Sequence, residues 1–241
     1  MDDKTEGIVL QSVRYGDNSL VVKVFTRSMG LKSYMVKGAL SHGSKSRVAL
    51  FQPLNIIQYV EAGKPNKSTL CYMRDVQMAF VYHSIPFVMK KSAILMYVSE
   101  LLSKIITEQE GNMALFDFVV RSLQWLDLTE QDYANFPLYF TLELTRYLGF
   151  YPKSNHKEGT CFDMMEGSFV HDIPLHPYYF EADIAALFTL LLDTNIDEVC
   201  QMPLRLSQRR VLFDGLIVYI RLHTPVMNEF RSHEVLKMVL E

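Results

Sequence analysis

Near residue 82 the apolar residues stop alternating and begin to recur every three or four positions. A period of two belongs to strands with one buried face, and a period near 3.6 belongs to helices. The chain therefore has to build two kinds of structure in series. Before the change, apolar runs at 7–15, 20–27, 31–38, 49–61 and 68–77 are separated by turn-forming stretches such as GDNS, SMG and AGKPNK. Five short strands with turn signals between them predict a small closed barrel. In the second run Leu20, Val22 and Val24 share one face, and Val21, Lys23 and Phe25 the other. Pro53 falls inside the fourth run and predicts a bulge or an edge, because proline has no N–H to give the ladder.

After the change, Phe87, Ile94, Val98, Leu101 and Ile105 line one helical stripe, widened by Leu95, Leu102 and Ile106. A second helix is predicted over 112–128. A third begins at a Thr129/Asp132 cap and runs to Gly149, with Pro137 predicting a kink or a restart inside it. Residues 150–180 hold no sustained period and are punctuated by Gly, Pro, Asn and His. They predict an irregular loop with a short hairpin around Glu166-Gly167. Helices resume over 181–193, 207–223 and 232–240, the last two with a serine in capping position. The expected fold class is α+β and multidomain. Residues 1–80 form the barrel, and 81–241 form an all-α helical domain with an irregular loop insertion at 150–180.

With 241 residues and 49% hydrophobic content the chain can bury real cores, so disorder is excluded as its default state. The longest apolar run, AALFTLLL at 185–192, is far below the ~18 residues that a bilayer demands. The first residues, MDDKTEGIVL, lack the basic flank of a signal peptide. Cys71, Cys161 and Cys200 are widely spaced and odd in number, which suggests reduced thiols in a cytoplasm. The net charge of −3 hides an asymmetry: residues 1–80 carry 11 Lys+Arg against 6 Asp+Glu, a net of +5, and the remainder carries −8. A basic barrel suits a polyanion, and a chance fluctuation explains the same excess.

Four groups of residues are candidates for chemistry. GALSHGSKS, 38–46, resembles a phosphate-binding loop but misses its spacing by one residue, since Ser44 separates Gly43 from Lys45. A strand, rather than the helix such a loop requires, is expected to follow. His156, Cys161, His171 and His176 are zinc-type ligands, yet their gaps of five, ten and five are wide for one ion, and no Cys-x-x-Cys occurs. No Gly-x-Ser-x-Gly elbow and no cysteine–histidine arrangement points to a nucleophile, so no catalytic residue is assigned. The basic set Arg14, Lys23, Arg27, Lys32, Lys37, Lys45 and Arg47, with Phe25 and Tyr34 nearby, suits a nucleic-acid surface that combines phosphate neutralisation with base stacking. A solvated barrel face with its aromatics in the core has the same spacing. In the helical part, Trp125, Phe136, Tyr139, Phe140 and Tyr147 suit a core, and some of them a groove for a partner peptide.

GIVLQSVRYGDNSLVVKVFTRSMGLKSYMVKGA, then SKSR, then LFQPLNIIQYVE, resembles the N-terminal barrel of the RecO family, bacterial recombination mediators. FTLELTRYLGFYP, 140–152, is similar to that family's helix running into Leu-Gly-aromatic-x-Pro. The resemblance implies an OB-fold barrel followed by a helical domain. It implies a non-catalytic, cofactor-free role in DNA repair and recombination. That role comprises binding single- and double-stranded DNA, annealing complementary strands, and helping to load the recombinase RecA on DNA coated by single-strand-binding protein. The implied partners are RecR and the acidic, hydrophobic C-terminal tail of the single-strand-binding protein; no membrane is involved. DNA contact falls to Arg14, Lys23, Arg27, Lys32, Tyr34, Lys37, Lys45 and Arg47. Many members carry two Cys-x-x-Cys zinc pairs after the Leu-Gly-x-x-Pro motif. Here only Cys161 lies in that region, so no metal is expected and packing should hold the loop. The basic loop is also leaner than in many relatives. An adaptor whose helical domain binds a partner peptide, with little DNA contact, is the alternative.

Overall fold

The computed structural model describes residues 4–41, 45–62, 70–107, 110–225 and 230–240. Five strands, β1 (Lys4–Tyr15), β2 (Ser19–Thr26), β3 (Gly30–Val36), β4 (Ile56–Ala62) and β5 (Leu70–Met78), close into a barrel in the order β1-β2-β3-β5-β4. Neighbours run antiparallel except β3 and β5, which are parallel. That order and sense are those of an OB-type barrel. The helices are α1 (Lys45–Ala49), α2 (Met89–Ile105), α3 (Met113–Leu128), α4 (Phe136–Tyr147), α5 (Ala182–Leu192), α6 (Leu206–His223) and α7 (Ser232–Val239). Three further short strands are β6 (Cys161–Asp163), β7 (Ser168–Val170) and β8 (Tyr179–Phe180). The chain falls into two compact units, Met1–Val88 with Leu95–Gln124, and Met89–Ile94 with Trp125–Glu241.

The first unit is built around the barrel interior. β1 closes the ring because residues 4–8 pair with β4 and residues 7–15 with β2. A bulge between Val9 and Gln11 bends the strand between the two pairings. At Gly7 a Cβ would collide with the Val24 side chain, so only glycine allows the strands to approach this closely. Leu20, Val22 and Val24 point inward with Val9, Tyr34, Val36, Ile57 and Tyr59, as the alternation predicts. Phe25 faces the other way and is still buried, because Phe116 of α3 packs against it with ring centroids 5.7 Å apart. Ser103 of α2 donates to the Leu10 carbonyl at 3.2 Å, at the bulge, where the ladder leaves that carbonyl available.

The stretch 49–61 is not one strand. Lys45–Ala49 is a short helix, tight turns follow through Leu50 and Phe51, and the ladder begins only at Ile56. The apolar residues that mimic a strand here, Phe51 and Leu54, are fully buried. Phe51 joins the barrel core, and the Leu54 N–H donates to the Val9 carbonyl at 2.7 Å. Pro53 therefore lies in a turn, and the irregularity in the β4–β5 ladder falls later, opposite Gln58–Val60, with the extra residue on β5. A helix begins within GALSHGSKS, at Lys45, contrary to the strand expected after it; the one-residue spacing mismatch stands, and residues 42–44 lie outside the described residues.

The second unit is not all-α. β7-β6-β8 form a three-stranded sheet inside the segment expected to be irregular. The β6–β7 hairpin turns at Glu166-Gly167 as predicted, with Gly167 at φ +60°. Phe162 of β6 is fully buried, with its ring centroid 5.1 Å from Phe169, 4.6 Å from Phe188 and 5.8 Å from Tyr219. Aromatic packing thus fills the space around this sheet. The residues do not fit a zinc site. Cys161 is buried, His156 meets the Phe169 ring edge-on, and His176 faces Asp163 at 3.3 Å. Among the described residues no group of three or more His, Cys, Asp and Glu is placed to hold a metal ion.

The helix expected from Thr129 begins instead at Phe136. Thr129 and Asp132 accept backbone N–H bonds from Gln131 and Ala134, which make local turns rather than a cap. Pro137 then occupies the first turn, where its missing N–H has no helical partner to lose, so no kink is needed. At the other end Gly149 adopts φ +84°. The Phe150 N–H reaches back to the Thr145 carbonyl at 3.1 Å and the Gly149 N–H to the Arg146 carbonyl at 3.4 Å, the paired bonds of a Schellman stop. The Leu-Gly-Phe-Tyr-Pro motif is therefore a helix terminator. Arg146 makes two bonds of 3.0 Å to Glu143 and lies 3.6 Å from the Tyr151 ring centroid. Neither expected serine is a cap: Arg205 and Arg231 hold the cap positions, and the Arg205 N–H donates to Gln208 Oε1 at 2.9 Å. Lys91 is 3% exposed and donates to the Asp127 and Thr129 carbonyls at the end of α3, at 3.0 and 2.9 Å. Burial lowers its pKa below the ordinary lysine value, against the pull of Asp127 and Glu130.

Candidate nucleic-acid interface

β3 and β5 lie parallel, with Tyr34 opposite Cys71 and Met35 opposite Tyr72. Side chains alternate across a strand, so the first pair faces the core and the second faces out. Two residues further along, Lys37 and Arg74 continue the outer row. Arg47 of α1 joins them, its guanidinium 3.9 Å from where a Gly38 Cβ would sit. Lys37, Arg47, Tyr72 and Arg74 line one cleft of about 490 Å³, in which Asp75 is the acidic residue. The Lys37 ammonium stands 5.0 Å from the Tyr72 ring centroid, in cation–π range.

The predicted DNA-contacting residues do not form one patch. Lys37 and Arg47 meet in the cleft. Arg14 is exposed and pairs with Leu20, which itself pairs with Val36, so it lies at the Lys37 end of the sheet. Lys23 is exposed beside a different recess, formed with Gln11, Ser103 and Thr107. Arg27 lies about 23 Å along the strand from Leu20, at ~3.3 Å per residue. It is bound to Glu6 at 3.3 Å and Asp117 at 3.2 Å. Lys32 lies 3.9 Å from Glu61. The Lys45 side chain is outside the described residues.

Tyr34 needs correction as a DNA-contacting residue. It is 0% exposed, because it sits opposite Val22 and shares that residue's inward parity. Its hydroxyl accepts from Tyr59 at 2.9 Å and meets Glu61 at 3.4 Å. Burial pushes both tyrosine hydroxyls far above their ordinary pKa. Among the described residues that line the cleft, the aromatic is Tyr72, which sequence reasoning passed over together with Arg74. Their signal was present: both alternate with Cys71 and Met73, whose partial burial against the core marks the inward row.

The second unit carries a separate groove between α4, α6 and α7. Leu138, Phe213 and Leu236 supply apolar walls, while Arg209, Arg210 and Lys237 bring cations to them. Arg209 Nε donates to Asn135 Oδ1 at 2.8 Å, and Lys237 bridges Asp214 at 2.8 Å and Glu234 at 3.2 Å.

Family models for the recombination protein O N terminal and C terminal match residues 1–81 and 87–229. The chain belongs to the RecO family. A RecO relative from Flavobacterium psychrophilum, named DNA repair protein RecO, is 40% identical over 241 residues, covering 99% of both chains. Proteins of the same name from Flavobacterium johnsoniae and Phocaeicola vulgatus are 36% and 32% identical, over 99% and 98% of both chains. The match runs through the helical unit as well as the barrel, so RecO membership rests on the whole chain. Among the described residues no helix is long and apolar enough to cross a membrane.

Proposed function

We propose that this RecO-family chain is a DNA repair protein that acts as a recombination mediator without catalysing a reaction, working in the cytoplasm. Its barrel binds DNA, single- and double-stranded, and helps complementary strands anneal. The observation that carries the reading is that Lys37, Arg47 and Arg74 line one cleft together with the exposed Tyr72 on an OB-type barrel. Cations on such a surface replace the counterions of the phosphate backbone, giving affinity without sequence preference. That suits a protein that must act wherever DNA is damaged. Fluorescence anisotropy of a labelled single-stranded oligonucleotide, titrated at several salt concentrations, tests it. Affinity should fall linearly in a log–log plot against salt. Absence of binding at low salt would refute the barrel's role.

The helical unit supports the partner side of the same reading. An apolar depression of about 30 Å³ beside Arg209, Arg210 and Lys237 suits one apolar side chain of a peptide that is both acidic and hydrophobic. The tail of a single-strand-binding protein has that chemistry, and holding it would place the mediator beside coated DNA, where RecR and RecA are to act. Leu206 lines the groove and is 41% exposed, so Leu206→Glu should fold normally. It should weaken an acidic-hydrophobic peptide by about tenfold or more, measured by calorimetry, by burying a like charge against the peptide. Unchanged peptide affinity would remove this groove from the partner site.

A further inference from the structure

The bend in β5 gives the cleft a more specific role. Between Gln58 and Val60 on β4, the opposing strand runs from Gln77 to Arg74, one residue more than the ladder needs. Asp75 absorbs the extra residue at φ +54°, a left-handed conformation that few non-glycine residues adopt. Bulges of this kind re-aim the side chains around them and recur at barrel rims and binding sites. Here the bulge follows directly on Tyr72-Met73-Arg74, the part of β5 that lines the cleft. Tyr72 is 43% exposed, whereas Phe25 and Tyr34, the barrel aromatics singled out by the sequence, are buried. The Lys37 ammonium lies against the Tyr72 ring, 5.0 Å from its centroid. Lys37, Arg47 and Arg74 line the same cleft as the ring.

We propose that Tyr72 is a base-stacking platform that makes the cleft prefer single-stranded nucleic acid. This rests on the DNA-binding reading above and adds the strand selectivity to it. Lys37 holds one face of the ring. An unpaired base lies on the ring, and the phosphates on either side of it meet Lys37, Arg74 and Arg47. Every base has a π-face, so the platform takes any base. In a duplex the bases are stacked on one another and withheld from the ring, so double-stranded DNA is held by the cations alone.

The test uses the full chain, a single-stranded oligonucleotide carrying one 2-aminopurine, and a duplex of equal length. In the unaltered protein the 2-aminopurine fluorescence should be quenched on binding. Tyr72→Leu should lose about tenfold or more in single-strand affinity, the scale of one lost base–aromatic stack. Its duplex affinity and salt slope should be unchanged, since no cation has been removed. Tyr72→Phe, which keeps the ring, should behave as the unaltered chain. Single-strand binding without quenching, or a Tyr72→Leu variant with equal losses for both ligands or none for either, overturns the platform and leaves the DNA-binding reading standing. Binding to neither ligand by the unaltered chain overturns both. The quenching needs no variant, so a folding defect in Tyr72→Leu cannot shield the proposal.

Discussion

Replacing Lys37, Arg47 and Arg74 together by alanine is expected to cost about 100-fold in single-strand affinity at ~0.1 M salt. The figure follows from counterion release: each phosphate neutralised on a single strand contributes about 0.7 to the log–log salt slope, so three lost contacts flatten it by about two. Affinities of the variant and the parent should converge toward ~1 M salt, where that contribution vanishes. The convergence distinguishes lost charge from lost structure, because an unfolded barrel would bind poorly at every salt concentration. All three side chains line the cleft, and Lys37, Arg47 and Arg74 lie at exposed positions, so little stability is at stake. Arg27→Ala offers a contrast. Its guanidinium is engaged by Glu6 and Asp117, so its removal should change the slope far less. A triple variant with the parent's slope would move the DNA-binding surface elsewhere on the molecule.

Phe162→Ala is expected to be the most damaging single substitution in the second unit, at about 3–5 kcal/mol, the usual cost of deleting a buried phenyl ring and leaving its cavity. Phe162 is fully buried and touches Phe169, Phe180, Phe188 and Tyr219, so four rings lose a shared neighbour at once. In a chain of this length the melting temperature should drop by about 10 °C or more. Phe162→Leu keeps most of the volume and should cost much less. Thermal unfolding followed by circular dichroism reads both. A Phe162→Ala protein that melts with the parent would mean that the small sheet contributes nothing to the unit's stability. Since the ligands around Cys161 do not assemble, added zinc should rescue neither variant.

The two units differ in how plainly their sequences speak. The barrel strands were legible because alternation is local: Leu20, Val22 and Val24 could be placed on one face from their spacing alone, and the register confirms them. The same alternation misled at 49–55, where Phe51 and Leu54 are apolar because the barrel interior needs them, not because a ladder passes through. A residue's period reports that it is buried, and several backbone paths bury the same residues. Around 150–180 the opposite happened. The strands of two or three residues were too short to show a period, and the aromatic cluster that supports them draws Phe188 and Tyr219 from helices later in the chain.

The binding surface divides in the same way. The sequence by itself determined that the barrel would be basic, that its strands would alternate, and that GALSHGSKS lacks phosphate-loop spacing. It also carried enough of the family pattern to indicate RecO. Only the tertiary structure decided which cations share a cleft, because Lys37 just after β3, Arg47 on α1 and Arg74 on β5 are brought together where β3 and β5 pair in parallel. It also decided which aromatic is available. Tyr34 and Tyr72 are chemically alike and lie on adjacent strands, yet a one-residue difference in register sends one into the core and leaves the other beside Lys37. Parity along a strand is local information, but which parity faces the core is set by the partner strands, and those are remote in sequence.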